Sequence, residues 1–107
     1  MEEIIIQRDE QNRILGLTGR GMEEGSLATT STLHFLQATI SSMTDYLHVT
    51  PDFSVGKELH LVVDRSDSHL NREIDAIMET LVIGLKMLAK EYPGDFVVHE
   101  ATVSIRV

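Results

Sequence analysis

The sequence of 107 residues contains no cysteine. That absence excludes disulfides, thiolate metal sites and thiol nucleophiles together, and it agrees with a reducing, cytoplasmic setting. Tryptophan is also missing, there are only 2 prolines, and aromatic residues make up 5% of the chain. Basic residues are scarce: 9 Lys and Arg stand against 17 Asp and Glu, for a formal net charge of −8. They are scattered rather than gathered into a stripe. The concentrated positive face that phosphate neutralisation needs is therefore lacking, and nucleic acid is not expected as a direct partner. A basic polypeptide is the better electrostatic match. Long hydrophobic runs are lacking too. Met1 to Ile6 has two acids before three consecutive isoleucines, which suits neither a secretory signal nor a membrane span. The expectation is a cytoplasmic protein that does not enter the membrane.

Apolar residues make up 42% and charged residues 24%, the balance of a globular domain with a real core. The length fits one domain over residues 1–107. Residues 3 to 8 are rich in β-branched side chains and end at the polar group Asp9 to Asn12. With Arg13 to Thr18, closed by Gly19, they predict an antiparallel hairpin. Gly19 to Leu27 carries three glycines and no apolar period, and so predicts an exposed loop. Leu33, Leu36, Ile40, Met43 and Leu47 then predict the buried stripe of a helix from about residue 30 to about residue 47. His48 to Gly56 predicts a loop. Lys57 to Asp64 predicts a third strand, with Leu59, Leu61 and Val63 on one face and His60 and Val62 on the other.

Ser66, Asp67 and Ser68 are candidate caps for the next helix. Its stripe of Leu70, Ile74, Ile77, Met78, Leu81, Leu85 and Leu88 runs until Pro93 stops it. Asp95 to Val107 alternates, with Ala101, Val103, Ile105 and Val107 as its inward set and His99-Glu100 as the place for a break. The expected fold is α/β of the α+β kind: a two-layer sandwich in ββαβαβ order, with a mixed or antiparallel sheet and both helices on one face.

Leu17-Thr18-Gly19 before a Gly-rich loop, and the helix-two tail from Glu79 to Pro93 (ETLVIGLKMLAKEYP), resemble the ribosomal-processing cysteine protease family Prp, whose helices end in the ETLVLGLKQLAEEYP manner. The resemblance spans nearly the whole chain. It implies a homodimer, a loop that closes over an extended peptide, and cleavage of a short N-terminal extension from a large-subunit ribosomal protein by a Cys and His pair. Helix N-terminal amides would lower the thiol pKa in such a pair, and the imidazole would complete the activated nucleophile. This sequence departs at both positions. Arg20 stands where the family has its His, and Thr29 falls at the helix-head Cys position; no His lies between Arg13 and Leu33.

The resemblance therefore implies a pseudoenzyme: a noncatalytic peptide- or protein-binding module linked to ribosome or other protein assembly. Gly19, Arg20, Gly21, Glu23, Glu24, Ser26, Thr29 and Thr30 would line its groove, and a basic peptide or ribosomal-protein segment would be its partner. Two alternatives stand beside it. One is a hydrolase rebuilt on Ser26 or a helix-head threonine, which needs a general base within hydrogen-bond reach. The other is a purely structural assembly subunit. For Thr29 to Thr32, helix capping outweighs catalysis as a role, because a hydroxyl is a far poorer nucleophile than a thiolate. The five histidines lack paired ligand spacing, His60 and His99 being the nearest approach to a pair, so no metal or other cofactor is expected.

Overall fold

The two ends of the chain lie side by side in one sheet. In the computed structural model, which describes residues 1–23 and 25–103, strand β1 (Glu2–Arg8) pairs parallel with the last strand, β5 (Phe96–Thr102). On its other edge β1 pairs antiparallel with β2 (Ile14–Arg20), which pairs with β4 (Leu59–Val62), which in turn pairs with β3 (Asp52–Val55). The sheet order is β3-β4-β2-β1-β5. Helix α1 (Leu27–Ser41) follows the hairpin and helix α2 (Asn71–Glu91) precedes β5.

Strand alternation decides which face is covered. Ile4 and Ile6 of β1, Leu17 of β2, Leu59 and Leu61 of β4 and Phe96 of β5 share one face through the pairing register, and all are buried. They form one core with Leu36 and Met43 of the first helical segment and with Ile74, Met78, Leu81, Val82, Leu85 and Leu88 of α2. Both helices thus cover the same face, as the sequence predicts. Among the described residues no helix covers the other face, where Thr18 Oγ1 lies 3.2 Å from Gln7 Nε2 and 3.4 Å from His60 Nδ1.

Two arginines pin the helical layer to the sheet. Arg8, whose side chain is 11% exposed, grips Glu79 of α2 at 2.7 and 3.1 Å and Glu100 of β5 at 2.9 Å. Arg65 donates to the Ile14 carbonyl at 2.8 and 3.1 Å and pairs with Asp75 at 2.8 Å.

Several sequence expectations are corrected. The element order is ββαββαβ, because β3 occupies part of the stretch predicted as a loop; all four of its residues are exposed, so this edge strand leaves no burial pattern. Helix α1 starts at Leu27 and not near residue 30, and beyond Ser41 the chain continues as a π-helical turn through Leu47. Its buried stripe is Ala28, Thr32, Leu36, Thr39 and Met43, not one that includes Leu33, which is exposed; close packing on the sheet selects small hydroxyl-bearing side chains that hydrophobic periodicity overlooks.

Helix α2 has no side-chain cap of its own; Asp67 instead accepts from the His69 N–H at 3.0 Å and caps the short 3₁₀ turn Ser68–Leu70 ahead of it. Strand β5 runs through His99 and Glu100 without a break. Its buried end is Phe96, whereas Ala101, paired with Gln7, is on the face opposite Ile4 and Ile6 and is exposed, as is Val103 two residues on. Ile105 and Val107 lie outside the described residues. His60 on β4 and His99 on β5 are not neighbours: β2 and β1 separate their strands.

Candidate functional site

The head of α1 sits over the start of β1. Ser26 has extended backbone and is the N-cap, its Oγ accepting the Thr29 N–H at 3.0 Å. A serine cap of this kind is worth about 1 kcal/mol, since it satisfies one of the orphan amides of a helix start. Alternation places Glu2 on the covered face with Ile4 and Ile6, directly beneath this cap, and it is only 4% exposed. Its Oε1 accepts the Ser26 hydroxyl at 2.8 Å and also the Thr29 hydroxyl. The Glu23 N–H donates to Thr29 Oγ1 at 3.1 Å, and the Ser26 N–H donates to the Glu23 carbonyl at 3.1 Å, so the Gly-rich loop folds back onto the helix head. A carboxylate next to the first turn also complements the positive end of the helix dipole.

The other Glu2 oxygen is different. Oε2 is buried and has no hydrogen-bond donor among the described residues. An unsatisfied buried acceptor costs about 1–3 kcal/mol, more when it is charged. Glu2 borders a cavity of about 400 Å³ that is also lined by Met1, Gly21, Glu23, Ser26, Tyr92 and Asp95. Gly21 is required at its rim: its φ is +66°, and a Cβ there would stand 2.2 Å from the Met1 carbonyl oxygen.

The sequence-derived site residues separate into three groups. Gly21, Glu23 and Ser26 line the cavity, with Thr29 buried just behind it. Arg20 pairs across the sheet with Glu3, on the face opposite Glu2, and its side chain binds Glu58 at 3.0 Å; it does not share a groove with Thr29. The strand alternation that puts Thr18 outward also puts Arg20 outward, which loop-based alignment disregards. Gly19 faces the core against Met22 and Ile4, and Thr30 is exposed on the next turn of α1. Glu24 lies outside the described residues.

Sequence reasoning missed Glu2, Tyr92 and Asp95. For Glu2 a signal existed, because an acid in phase with Ile4 and Ile6 is directed inward. Among the described residues no cluster of three or more His, Asp or Glu is placed to hold a metal ion, and no helix is long and apolar enough to cross a membrane.

The sheet order, with both helices on one face, makes an α+β sandwich. No family model and no curated protein sequence matches the chain. Solved structures do. SMU.848 from Streptococcus mutans superposes with a TM-score of 0.83 at 10% identity, over 96% of this chain and 96% of that one. The essential ribosomal processing protease Prp from S. aureus, in complex with a substrate peptide, superposes at 0.81 and 15% identity, over 94% of this chain and 100% of that one. The chain has the Prp-like fold.

Proposed function

We propose that this chain is a noncatalytic Prp-like module, acting in the cytoplasm, that binds a basic peptide or ribosomal-protein segment at the head of α1 without cleaving it. The observation that carries this reading is the use made of the helix head. Thr29, at the position the resemblance gives to the nucleophile, has its hydroxyl committed to Glu2 and to the Glu23 amide, in a chain with no cysteine. The net charge of −8 supports a basic ligand. Fluorescence anisotropy with labelled extended peptides tests it. Lysine- and arginine-rich peptides should bind, with affinity falling as salt rises; equal binding of acidic peptides, or none of any kind, overturns it.

A hydrolase is the second reading, favoured by one specific observation: a carboxylate stands within hydrogen-bond reach of both the Ser26 and Thr29 hydroxyls. Against it, Ser26 Oγ is already occupied as acceptor of the Thr29 amide, and Thr29 is buried. The Ser26 hydroxyl is held as the helix cap and the Thr29 hydroxyl between the Glu23 amide and Glu2.

Homodimerisation belongs to the same proposal, through the groove between α1 and α2. This groove of about 710 Å³ is bordered by Phe35, Ile77, Ile83 and Met87 and by no charged side chain. Ile83 and Met87 are 61% and 65% exposed. In a chain of net charge −8, an uncharged apolar face is where a second copy meets least repulsion. Light scattering should return a dimer mass for the wild type and a monomer mass for Ile83→Glu. A monomeric wild type contradicts the dimer.

A further inference from the structure

The outer edge of the sheet at β5 carries a row of backbone groups with no strand beside them. β5 ends the sheet order, and among the described residues no strand pairs beyond it. Two bonds fix which way its backbone points: the Val103 N–H donates to the Arg8 carbonyl at 2.7 Å, and the Asp95 carbonyl accepts the Glu2 N–H at 2.9 Å. Backbone groups change side at each residue of a strand, so Val97, His99 and Ala101 face β1, while Val98, Glu100 and Thr102 direct N–H and C=O away from it. Phe96 also points outward, but its N–H is taken by the Tyr92 carbonyl at 3.1 Å. Proteins guard such edges with short strands, proline, lysine or a bulge. The opposite edge is guarded: β3 has four residues, all exposed, starts on Asp52 and follows Pro51. β5 is not. It holds seven residues in unbroken register with β1 and contains neither proline nor lysine. Its two ionisable side chains are turned to groups of the same chain, His99 to Glu3 at 3.4 Å and Glu100 to Arg8 and Lys86 at 2.9 and 3.2 Å.

From this we infer that an extended basic peptide docks on β5 as an added strand, its main chain bonded to Val98, Glu100 and Thr102. The inference rests on the peptide-binding reading and supplies the grip on the peptide backbone. The edge is continuous with the head of α1, because Asp95, the residue before β5, also lines the cavity there. An unpaired ladder row is complemented by extended main chain: strand addition brings a donor and an acceptor at every second residue, whatever the side chains. Charge chooses between the two extended partners open to it. A second copy would bring another net charge of −8 to the edge, whereas a segment bearing lysine or arginine is attracted. Val97, on the uncovered face, and Val98, on the helix face, are both half-buried, so the added strand meets an apolar neighbour on either side.

The test is amide hydrogen exchange, read by NMR on the ¹⁵N-labelled full chain with and without a short peptide of alternating lysine and valine. In the free protein the amides of Val98, Glu100 and Thr102 should exchange freely, and those of Val97, His99 and Ala101 slowly. Saturating peptide should slow the first three by at least about tenfold and change the others little. Methylating the peptide nitrogens one at a time should give an alternating series, with binding weakened about tenfold or more where the lost N–H faces β5 and hardly at all at the positions between. A peptide of alternating glutamate and valine should give no protection. Peptide binding that leaves Val98, Glu100 and Thr102 unprotected, or a methylation series without alternation, overturns the inference and leaves the peptide reading at the head of α1 in place. Equal protection by the acidic peptide overturns it as a site for basic segments. Protection that grows with protein concentration in the absence of peptide assigns the edge to a second copy and overturns it too. No peptide affinity of any kind overturns both proposals.

Discussion

Replacing Gly16 with valine should cost about 4 kcal/mol or more, among the largest effects a single substitution produces. Gly16 lies in β2 opposite Val62 of β4, and a Cβ on it would stand 2.1 Å from the Leu61 carbonyl oxygen and 3.2 Å from the Val62 Cα. Those neighbours are backbone, so relief requires the two central strands to part and their ladder to open. For a domain of this size each kcal/mol lowers the thermal midpoint by roughly 4–8 °C, so melting should come about 15–30 °C earlier. Gly56→Val is the matched control: no atom lies within 4 Å of its added Cβ, and its midpoint should stay within a few degrees of the wild type. Thermal unfolding followed by circular dichroism reads both. Equal losses at the two sites would remove the steric explanation.

Arg8→Met should lose about 1–3 kcal/mol, between the small worth of an exposed ion pair and the larger cost of breaking a buried one, because Arg8 is 11% exposed while Glu79 and Glu100 are 45% and 38% exposed. Arg8 joins β1, β5 and α2, so its removal strips the donors from Glu79 and Glu100 and loosens α2 from the sheet. The hydrogen bond from Arg8, assisted by one from Lys86, holds the Glu100 carboxyl below the ordinary glutamate range. Hydrogen bonding from Arg8 to Glu79, the largest contribution, with Glu100 adding to it, raises the Arg8 pKa in turn. A carboxyl whose folded pKa is depressed contributes stability that is complete above its unfolded value of about 4.3 and is lost as pH falls through the folded value. The wild type should therefore lose stability in that acidic window, and Arg8→Met should lose less there, having already given up the contact. Urea unfolding at a series of pH values from neutral downward measures this; parallel curves for the two proteins would refute the coupling.

The sequence made legible those elements whose burial is periodic. Leu59, Leu61 and Val63 share the covered side, and Ile74, Met78, Leu81, Leu85 and Leu88 of α2 are buried. What escaped was structure held by something other than apolar burial. Strand β3 is an edge whose ladder bonds stabilise it with its side chains in solvent. The stripe of α1 runs through Thr32 and Thr39, and its start is fixed by a Ser26 cap inside a segment that glycines mark as loop.

The candidate site was half legible for the same reason. Gly21, Glu23 and Ser26 sit together in sequence and also line one cavity, whereas Glu2, Tyr92 and Asp95 reach it from both ends of the chain through the parallel pairing of β1 with β5. No local pattern reveals that pairing. Arg20 shows the opposite error: adjacent to the site in sequence, it is turned to the far face by one step of strand alternation.

Intact-mass spectrometry of a large-subunit ribosomal protein carrying its N-terminal extension, after prolonged incubation with a stoichiometric amount of this chain, tests the central claim most directly. The account predicts an unchanged mass for the ribosomal protein. A single shortened product, formed by the wild type and absent with Ser26→Ala or Thr29→Val, would contradict it and establish the hydroxyls at the head of α1 as working nucleophiles.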